Sequence, residues 1–566
     1  MTNGLPHQGN NDSNHYSGDP APRDSMGVVV GGSLTQGVEV RLHSSGETLI
    51  EDVKVGTFVT IHGRRYRFFG VVTDLELNSS DARLRHSPPG TDDPVLSEAI
   101  SGTMAYGVVS VLPSLTMPLL AGSHDSPAAA KTVPSHFSQA FPASAEDVQL
   151  VFGQDDEQHF WIGNPLDMDT RVCLDLDELV KRSIGVFGKS GTGKTFLTRL
   201  LLVGILQGGT ASSLVFDMHS EYGWSGQDTD HKTQVKGLKQ LFPSQVSTFT
   251  LDEESSRNRG STPDEVVKIG YGEIEPEDIE ALRDTLSLSE VAAAAAYNLE
   301  RRFGKSWLSD FLNYDDINTL AQELNINGSA LAALHRRLDG LTRFGFLEEG
   351  NRHNTAARII EHLERGQHVV LEFGRYGDNL TAYVLVSNLL TRRIHDRYVE
   401  LKELAIGGRG PEPRPLVIVI EEAHKFLDPG VAQQTTFGTI ARELRKYNVT
   451  LMVIDQRPGG IDSEVMSQLG TRLTCLLDNE RDIDAVLSGT SGSRQLRGVL
   501  ARLEARQQAL IFGHAVPMPV VVHTRDYGSA ESYAQLTTGV RPATTEAVPG
   551  ETREERLERE IGELFG

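Results

Sequence analysis

The 566-residue sequence predicts an α/β protein with a parallel-sheet core, a small β-barrel ahead of that core and a helical subdomain inserted into it. Three observations lead there. After about Ser183, buried-type strands alternate with helical stretches, the rhythm of a parallel, doubly wound sheet. Within Met26–Asp74, short β-branched runs are separated by glycine-containing turns, the rhythm of a small antiparallel barrel. Between about Thr262 and Asn354 the strand signal stops and helical periodicity takes over.

Taken in order, residues 1–25 form a polar lead rich in Asn, Ser, Gly and His, predicted disordered. The lead lacks the basic start and apolar stretch of a signal peptide. Residues 26–150 hold the barrel and a linker. Its strands are Gly27–Gly31, Val38–Leu42, Phe58–Ile61 and Tyr66–Val72, with more to follow, including Ala105–Leu112. The Pro-, Ala-, Ser- and His-rich stretch Ala121–Ala145 reads as a loop or linker. Residues 151–261 begin the core, where Ile184–Phe187 runs into a glycine-rich turn and a long apolar helix starting near Lys194, followed by strand Ser213–Phe216. Residues 262–354 are the insertion, with helical periodicity over Ile279–Phe303, Trp307–Leu312 and Ala330–Leu341. Residues 355–530 complete the core with strands Val369–Phe373, Leu416–Ile420, Leu451–Ile454 and Arg472–Leu477. In the tail, 531–566, Leu557, Ile561 and Leu564 recur at i, i+4 and i+7 within Thr552–Phe565. That stripe makes either an amphipathic helix that needs a partner surface or a solvated tail.

Composition narrows the class. A chain 39% hydrophobic and 23% charged is globular and soluble in type. The longest apolar run, Leu200–Leu206, is far short of the ~20 residues that span a bilayer, so no membrane segment is expected. Cys173 and Cys475 are too few for a disulfide scaffold or a four-cysteine zinc site, and read as buried thiols in a reducing cytoplasm. With 54 basic against 77 acidic residues, the net charge of −23 argues against a protein that coats nucleic acid generically. It leaves room for one that meets DNA through a small local basic surface, such as the inside of a ring.

Gly188-Lys-Ser-Gly-Thr-Gly-Lys-Thr195 has the spacing of a phosphate-binding loop between strand and helix. Its glycines let backbone N–H groups turn inward on a β-phosphate, Lys194 sets a cation between β- and γ-phosphates, and Thr195 offers a hydroxyl to Mg²⁺. The nucleotide-binding set is Gly188, Ser190, Gly191, Thr192, Gly193, Lys194, Thr195 and Phe196. A second strand ends in Glu421-Glu422-Ala-His424. Glu421 is assigned to the metal and Glu422 to the general base that activates water; acids favoured by a helix N-terminus are the plainer reading. His424 either senses the γ-phosphate or is structural. Asp217, His219 and Glu221 sit at alternate positions after another strand. They suggest either a transition-metal site or, as favoured, a water-mediated shell around Mg²⁺ with Asp217 on the metal side. Gln456, after a third strand, is placed to orient water or report the γ-phosphate. The predicted helix Gln433–Tyr447 ends in Arg442-Glu-Leu-Arg445-Lys446. Those cations are either helix-dipole partners or, as favoured for Arg445 first and Arg442 second, a guanidinium given across a subunit boundary.

With these residues in place, the chain resembles the HerA-type ATPases, within the wider group that holds FtsK-like translocases and conjugative coupling ATPases. The resemblance is carried by Gly188–Thr195, Phe216-Asp-Met-His-Ser-Glu-Tyr222, Val417–His424, Arg442–Lys446 and Gln456-Arg-Pro458, and by N-terminal strands at the HAS-barrel position. It spans Met26 to about Arg525. Two departures stand out: Asp455 where a Ser is common before Gln-Arg-Pro, and Ser220 where a Gly is often found. Neither touches phosphate. The resemblance implies a RecA-like P-loop core in a hexameric ring that uses ATP and Mg²⁺ to move along double-stranded DNA through a central channel. It implies a partner as well, a NurA-like nuclease in DNA end resection and repair or another effector in antiphage defence. Arg375 is a candidate channel residue, with a plain surface arginine as the alternative. A different class remains open, an ATP-dependent ring scaffold that activates a partner effector without processive translocation. A secretion or conjugation ATPase is a third, disfavoured by the lack of a membrane segment.

Overall fold

The computed structural model describes residues 24–43, 49–81, 83–86, 100, 104–119, 126–227, 234–350, 354–430 and 436–537. The polar lead up to residue 23 and the heptad-like stripe at Thr552–Phe565 lie outside the described residues.

The first sheet has seven antiparallel strands in the order Gly37–Leu42, Gly27–Ser33, Gln139–Pro142, Phe58–His62, Tyr66–Ser79, Ala105–Pro118 and Ala128–Ala129. Gly37–Leu42 also pairs with Ala105–Pro118, which closes the sheet into a barrel and leaves Ala128–Ala129 outside the ring. Successive strand residues face opposite sides, and here both sides are buried. Val59, Phe68 and Val72 fill the barrel, while their neighbours Phe58, Phe69 and Val71 pack outward onto helix Ala145–Phe152 and the core. That explains the paired Phe-Phe and Val-Val in the sequence. The stretch expected to be a linker, Ala121–Ala145, instead contains the strand Gln139–Pro142 that completes the ring. Its only apolar signal is Ala140 and Phe141, and its pairing comes from two strands far away in sequence.

The second sheet has twelve strands. Eight are mutually parallel, in the order Glu265–Val266, Val246–Thr250, His368–Glu372, Ser212–Asp217, Leu416–Glu421, Val449–Asp455, Ser183–Phe187 and Leu469–Thr474. Gln508–Gly513, Val520–Thr524, His159–Pro165 and Val172–Asp175 extend it antiparallel. The central strands are buried on both faces, as their continuous Val, Ile and Leu runs require.

Between strands Val246–Thr250 and His368–Glu372 lies the helical insertion, Pro276–Ala281, Glu290–Phe303, Trp307–Leu312, Ile317–Glu323 and Gly328–Leu341. The periodic stretch Ile279–Phe303 is not one helix. Ser287 takes a left-handed φ of 51°, and the Ser289 hydroxyl caps the next helix by accepting from the Ala292 N–H. The insertion docks on helix Leu380–Ile406, where Arg392 and Asn388 both donate to the buried Asp278 carboxylate. Among the described residues no helix is long and apolar enough to cross a membrane.

Candidate nucleotide site

Parallel strands deliver their C-terminal ends to one edge of the sheet, where open α/β folds bind ligands. Phe187 pairs in register with Asp455, Asp217 with Glu372, and Glu421 with Ile454, so these termini lie at one level.

The glycine-rich loop leaves strand Ser183–Phe187 and enters helix Lys194–Gly208. A Cβ at Gly188 would lie 2.7 Å from Thr192 Oγ1 and 2.8 Å from Cys475 Cβ, so the loop closes only around a residue without one. Gly191 and Gly193 take φ of 77° and 94°, the left-handed region that turns the intervening N–H groups inward. Thr192 Oγ1 donates to the Lys189 carbonyl at 2.8 Å, and Lys194 Nζ donates to the same oxygen at 2.9 Å. Burial lowers the pKa of Lys194, against the pull of Glu422, Asp455 and Glu421. Ser190 is exposed on the loop, and Phe196 is half-buried with its ring 6.2 Å from that of Tyr527.

Glu421 ends its strand buried, its Oε1 accepting from the Tyr222 hydroxyl at 2.9 Å. Its Oε2 is buried with no hydrogen-bond partner among the described residues. Burial, and then the carboxylates of Asp217 and Glu221, push its pKa well above the usual range. An orphaned carboxylate oxygen in a crowd of acids is what a divalent cation would relieve, so these residues fit Mg²⁺. Among the described residues no three His, Cys, Asp or Glu side chains form a cage. The set therefore suits an ion held by Thr195, Glu421, phosphate oxygens and water.

Glu422 follows in the left-handed region at φ 47°, and the Gln456 amide donates to its Oε1 at 2.9 Å. The two groups expected at the hydrolytic water thus lie together. Asp455 is buried and accepts from the backbone N–H of His424 and of Arg457, both at 2.7 Å. His424 Nδ1 lies 2.9 Å from Asp455, which raises the imidazole pKa. The unusual Asp455 is therefore matched by His424, which has a structural partner.

Asp217, a candidate for the metal side, has a structural task as well: its carboxylate accepts backbone N–H groups from Glu221 and Tyr222 at 2.8 Å and from Gly223 at 3.3 Å. Asp217 organises the turn, in which Ser220 is left-handed at φ 56°. His219 is exposed while Asp217 is fully buried, so the two do not share a site. The turn brings Glu221 to the loop instead, with Thr195 Oγ1 donating to Glu221 Oε2 at 3.1 Å. The sequence shows Glu221 only as one of three candidates for a metal shell and Tyr222 only as a member of a motif, and nothing in their spacing assigns one to Thr195 and the other to Glu421. Arg442 lies in helix Thr436–Glu443 and Arg445 in the turn Leu444–Tyr447, and their side chains lie outside the described residues. Arg375 is paired with Asp252 at 3.4 Å and Glu254 at 3.5 Å, as a surface-loop arginine would be.

The family model for the central domain of helicase HerA matches residues 160–394, and the HAS barrel domain model matches residues 26–91. The chain is 23% identical over 514 residues to the DNA double-strand break repair helicase HerA of Saccharolobus solfataricus, covering 88% of this chain and 91% of that protein. It is 24% identical over 529 residues to the protein of the same name from Sulfurisphaera tokodaii, covering 88% and 92%. Among solved structures, VirB4 of Thermoanaerobacter pseudethanolicus aligns at 15% identity and a TM-score of 0.43, covering 67% of this chain and 99% of that one.

Proposed function

We propose that the chain is a HerA-type P-loop ATPase that assembles into a hexameric ring and hydrolyses ATP to move along double-stranded DNA. The observation that carries the ATPase part of this reading is the gathering of Thr195, Glu421, Glu422 and Gln456 at one end of the parallel sheet, with Glu422 and Gln456 hydrogen-bonded, while the ring and DNA rest on the likeness to helicase HerA. In this reading the loop Gly188–Thr195 cradles the phosphates, and Lys194 neutralises charge between the β- and γ-groups. Thr195 and Glu421 would hold Mg²⁺, which when bound withdraws charge from the phosphate oxygens. Glu422 takes the proton of the attacking water, and Gln456 orients that water.

The remaining charge to be met is that of the transition state. We assign it to Arg445, or failing that Arg442, of the neighbouring subunit, which makes the ring a condition of turnover. A ring also reconciles a net charge of −23 with DNA, since the exterior repels phosphate while a narrow channel lined with cations holds it. The partner in this reading is a nuclease of the NurA kind acting in end resection, or a defence effector seated on the ring.

The test is a triplex-displacement assay with ATP turnover measured alongside. The wild type is expected to displace the third strand and to be stimulated by DNA, and Lys194→Ala to do neither. DNA-independent turnover with no displacement would replace the motor by an ATP-dependent scaffold that activates its partner.

A further inference from the structure

Arg199 sits one helical turn after Thr195 on helix Lys194–Gly208, and only 3% of it is exposed. A guanidinium that deep normally has a carboxylate against it. Among the described residues none pairs with Arg199. Its Nη2 donates instead to the backbone carbonyl of Glu221, and its Nε has no hydrogen-bond partner among the described residues. Three rings lie against it, with the guanidinium carbon 5.5 Å from the centre of Phe196, 5.6 Å from Tyr527 and 6.0 Å from Tyr222. Cation–π attraction in a desolvated setting partly replaces the missing counter-ion.

Glu221 is thus gripped twice from one helix face, by Thr195 at its carboxylate and by Arg199 at its carbonyl, four residues apart. Tyr527 is the ring that comes from elsewhere. It follows strand Val520–Thr524, and its hydroxyl donates to the Lys236 carbonyl at 2.8 Å. Tyr533, on helix Ala530–Thr537, accepts from the Lys236 N–H at 2.9 Å. The two tyrosines thereby clip both backbone groups of one residue downstream of the Asp217–Tyr222 turn.

We propose that Arg199 is a positioning residue for the magnesium–nucleotide complex, and that the C-terminal segment from Tyr527 holds it in place. This rests on the ATPase reading above. Arg199 fixes the backbone of Glu221, Glu221 fixes the hydroxyl of Thr195, and Thr195 meets the ion. The C-terminal end of the core becomes a strut of the nucleotide site although none of its residues touches phosphate.

The test uses the full chain, a fluorescent ATP analogue, a Mg²⁺ titration and a parallel measurement in EDTA, with urea midpoints to confirm folding. Tyr527→Leu and Arg199→Met are expected to raise the Mg²⁺ needed for half-maximal nucleotide binding by about tenfold, within the range seen when groups behind a metal ligand are removed. Affinity in EDTA is expected to stay within about twofold, because the phosphate loop itself is untouched. Tyr527→Phe keeps the ring and is expected to behave as wild type, and Arg199→Lys is expected to fall between. If Arg199→Met does not fold, the two Tyr527 variants decide the matter. An unshifted Mg²⁺ requirement in Tyr527→Leu, or an equal loss of affinity in EDTA, overturns the proposal. A wild type that binds no ATP under either condition overturns the ATPase reading instead.

Discussion

Glu422 stands in a conformation that its own side chain disfavours, and this makes a quantitative prediction possible. At φ 47° its Cβ crowds the following carbonyl, at a cost of about 1–2 kcal/mol relative to glycine at the same place. Its side chain accepts a hydrogen bond from Gln456 at 2.9 Å, with His424 Nδ1 farther off at 3.7 Å, and the bond contributes about 1 kcal/mol in a setting that water reaches. Glu422→Ala loses the bond and keeps the strain, so it should destabilise by about 1 kcal/mol. Glu422→Gly loses the bond too, but the strain is relieved. Against that relief stands about 0.5–1 kcal/mol for the greater freedom of glycine in the unfolded chain. The balance leaves Gly about 0.5–1 kcal/mol more stable than Ala, the reverse of their ordinary order. Urea unfolding of the two variants without nucleotide, at one protein concentration, measures the difference. Hydrolysis should meanwhile fall by about 10²–10⁴ in both, and in Glu422→Gln, which retains an acceptor for Gln456 and should still bind ATP. An Ala variant more stable than the Gly variant refutes the strain argument. Near-normal turnover by Glu422→Gln refutes the assignment of the base.

Two predictions concern stability away from the reacting groups. The buried Arg472 donates to the carbonyls of Met466 and Ser488 at 2.7 and 2.8 Å and also to that of Val486, joining the ends of two helices to the strand beside the phosphate loop. Arg472→Met strands the Val486 and Ser488 carbonyls and leaves that of Met466 with its bond from the Leu469 N–H; it should cost about 2 kcal/mol or more in urea unfolding, and an effect below about 1 kcal/mol would show that water replaces the guanidinium. His368, fully buried with Nδ1 2.9 Å from Ser213 Oγ, has its pKa driven down to about 3 by burial and then by Arg414. His368 therefore stays unprotonated in the native protein below pH 6.5 while in the unfolded chain it takes up a proton, so its own contribution to stability should fall by roughly 1.4 kcal/mol for each unit below that pH. His368→Gln should show a correspondingly flatter loss between pH 6.5 and 5, and an unchanged slope would place the acid sensitivity elsewhere.

How far the site was legible depends on whether its geometry is local. The phosphate loop is local: strand, glycine spacing, lysine and helix are contiguous, and left-handed Gly191 and Gly193 are what that spacing requires. Glu421 and Glu422 were readable for a similar reason, since a buried apolar strand that stops at two acids announces its own end. The barrel strand Gln139–Pro142 was not, because its pairing is set by residues near 27 and 60, and its own four residues carry little β signal. The acidic turn shows the limit most clearly. Asp217 and Glu221 are both carboxylates near a strand end, and nothing in their order says which will face inward. The left-handed Ser220 decides it, folding the chain so that three N–H groups converge on Asp217 while Glu221 swings to Thr195. Arg199 was hidden for another reason. In a helix this apolar, one arginine reads as the solvent edge of a periodic pattern, and its burial depends on a tyrosine more than three hundred residues later, Tyr527. Contacts of that span belong to the assembled fold, so the second layer of a nucleotide site is where sequence reading loses its grip, even when the first layer is plain.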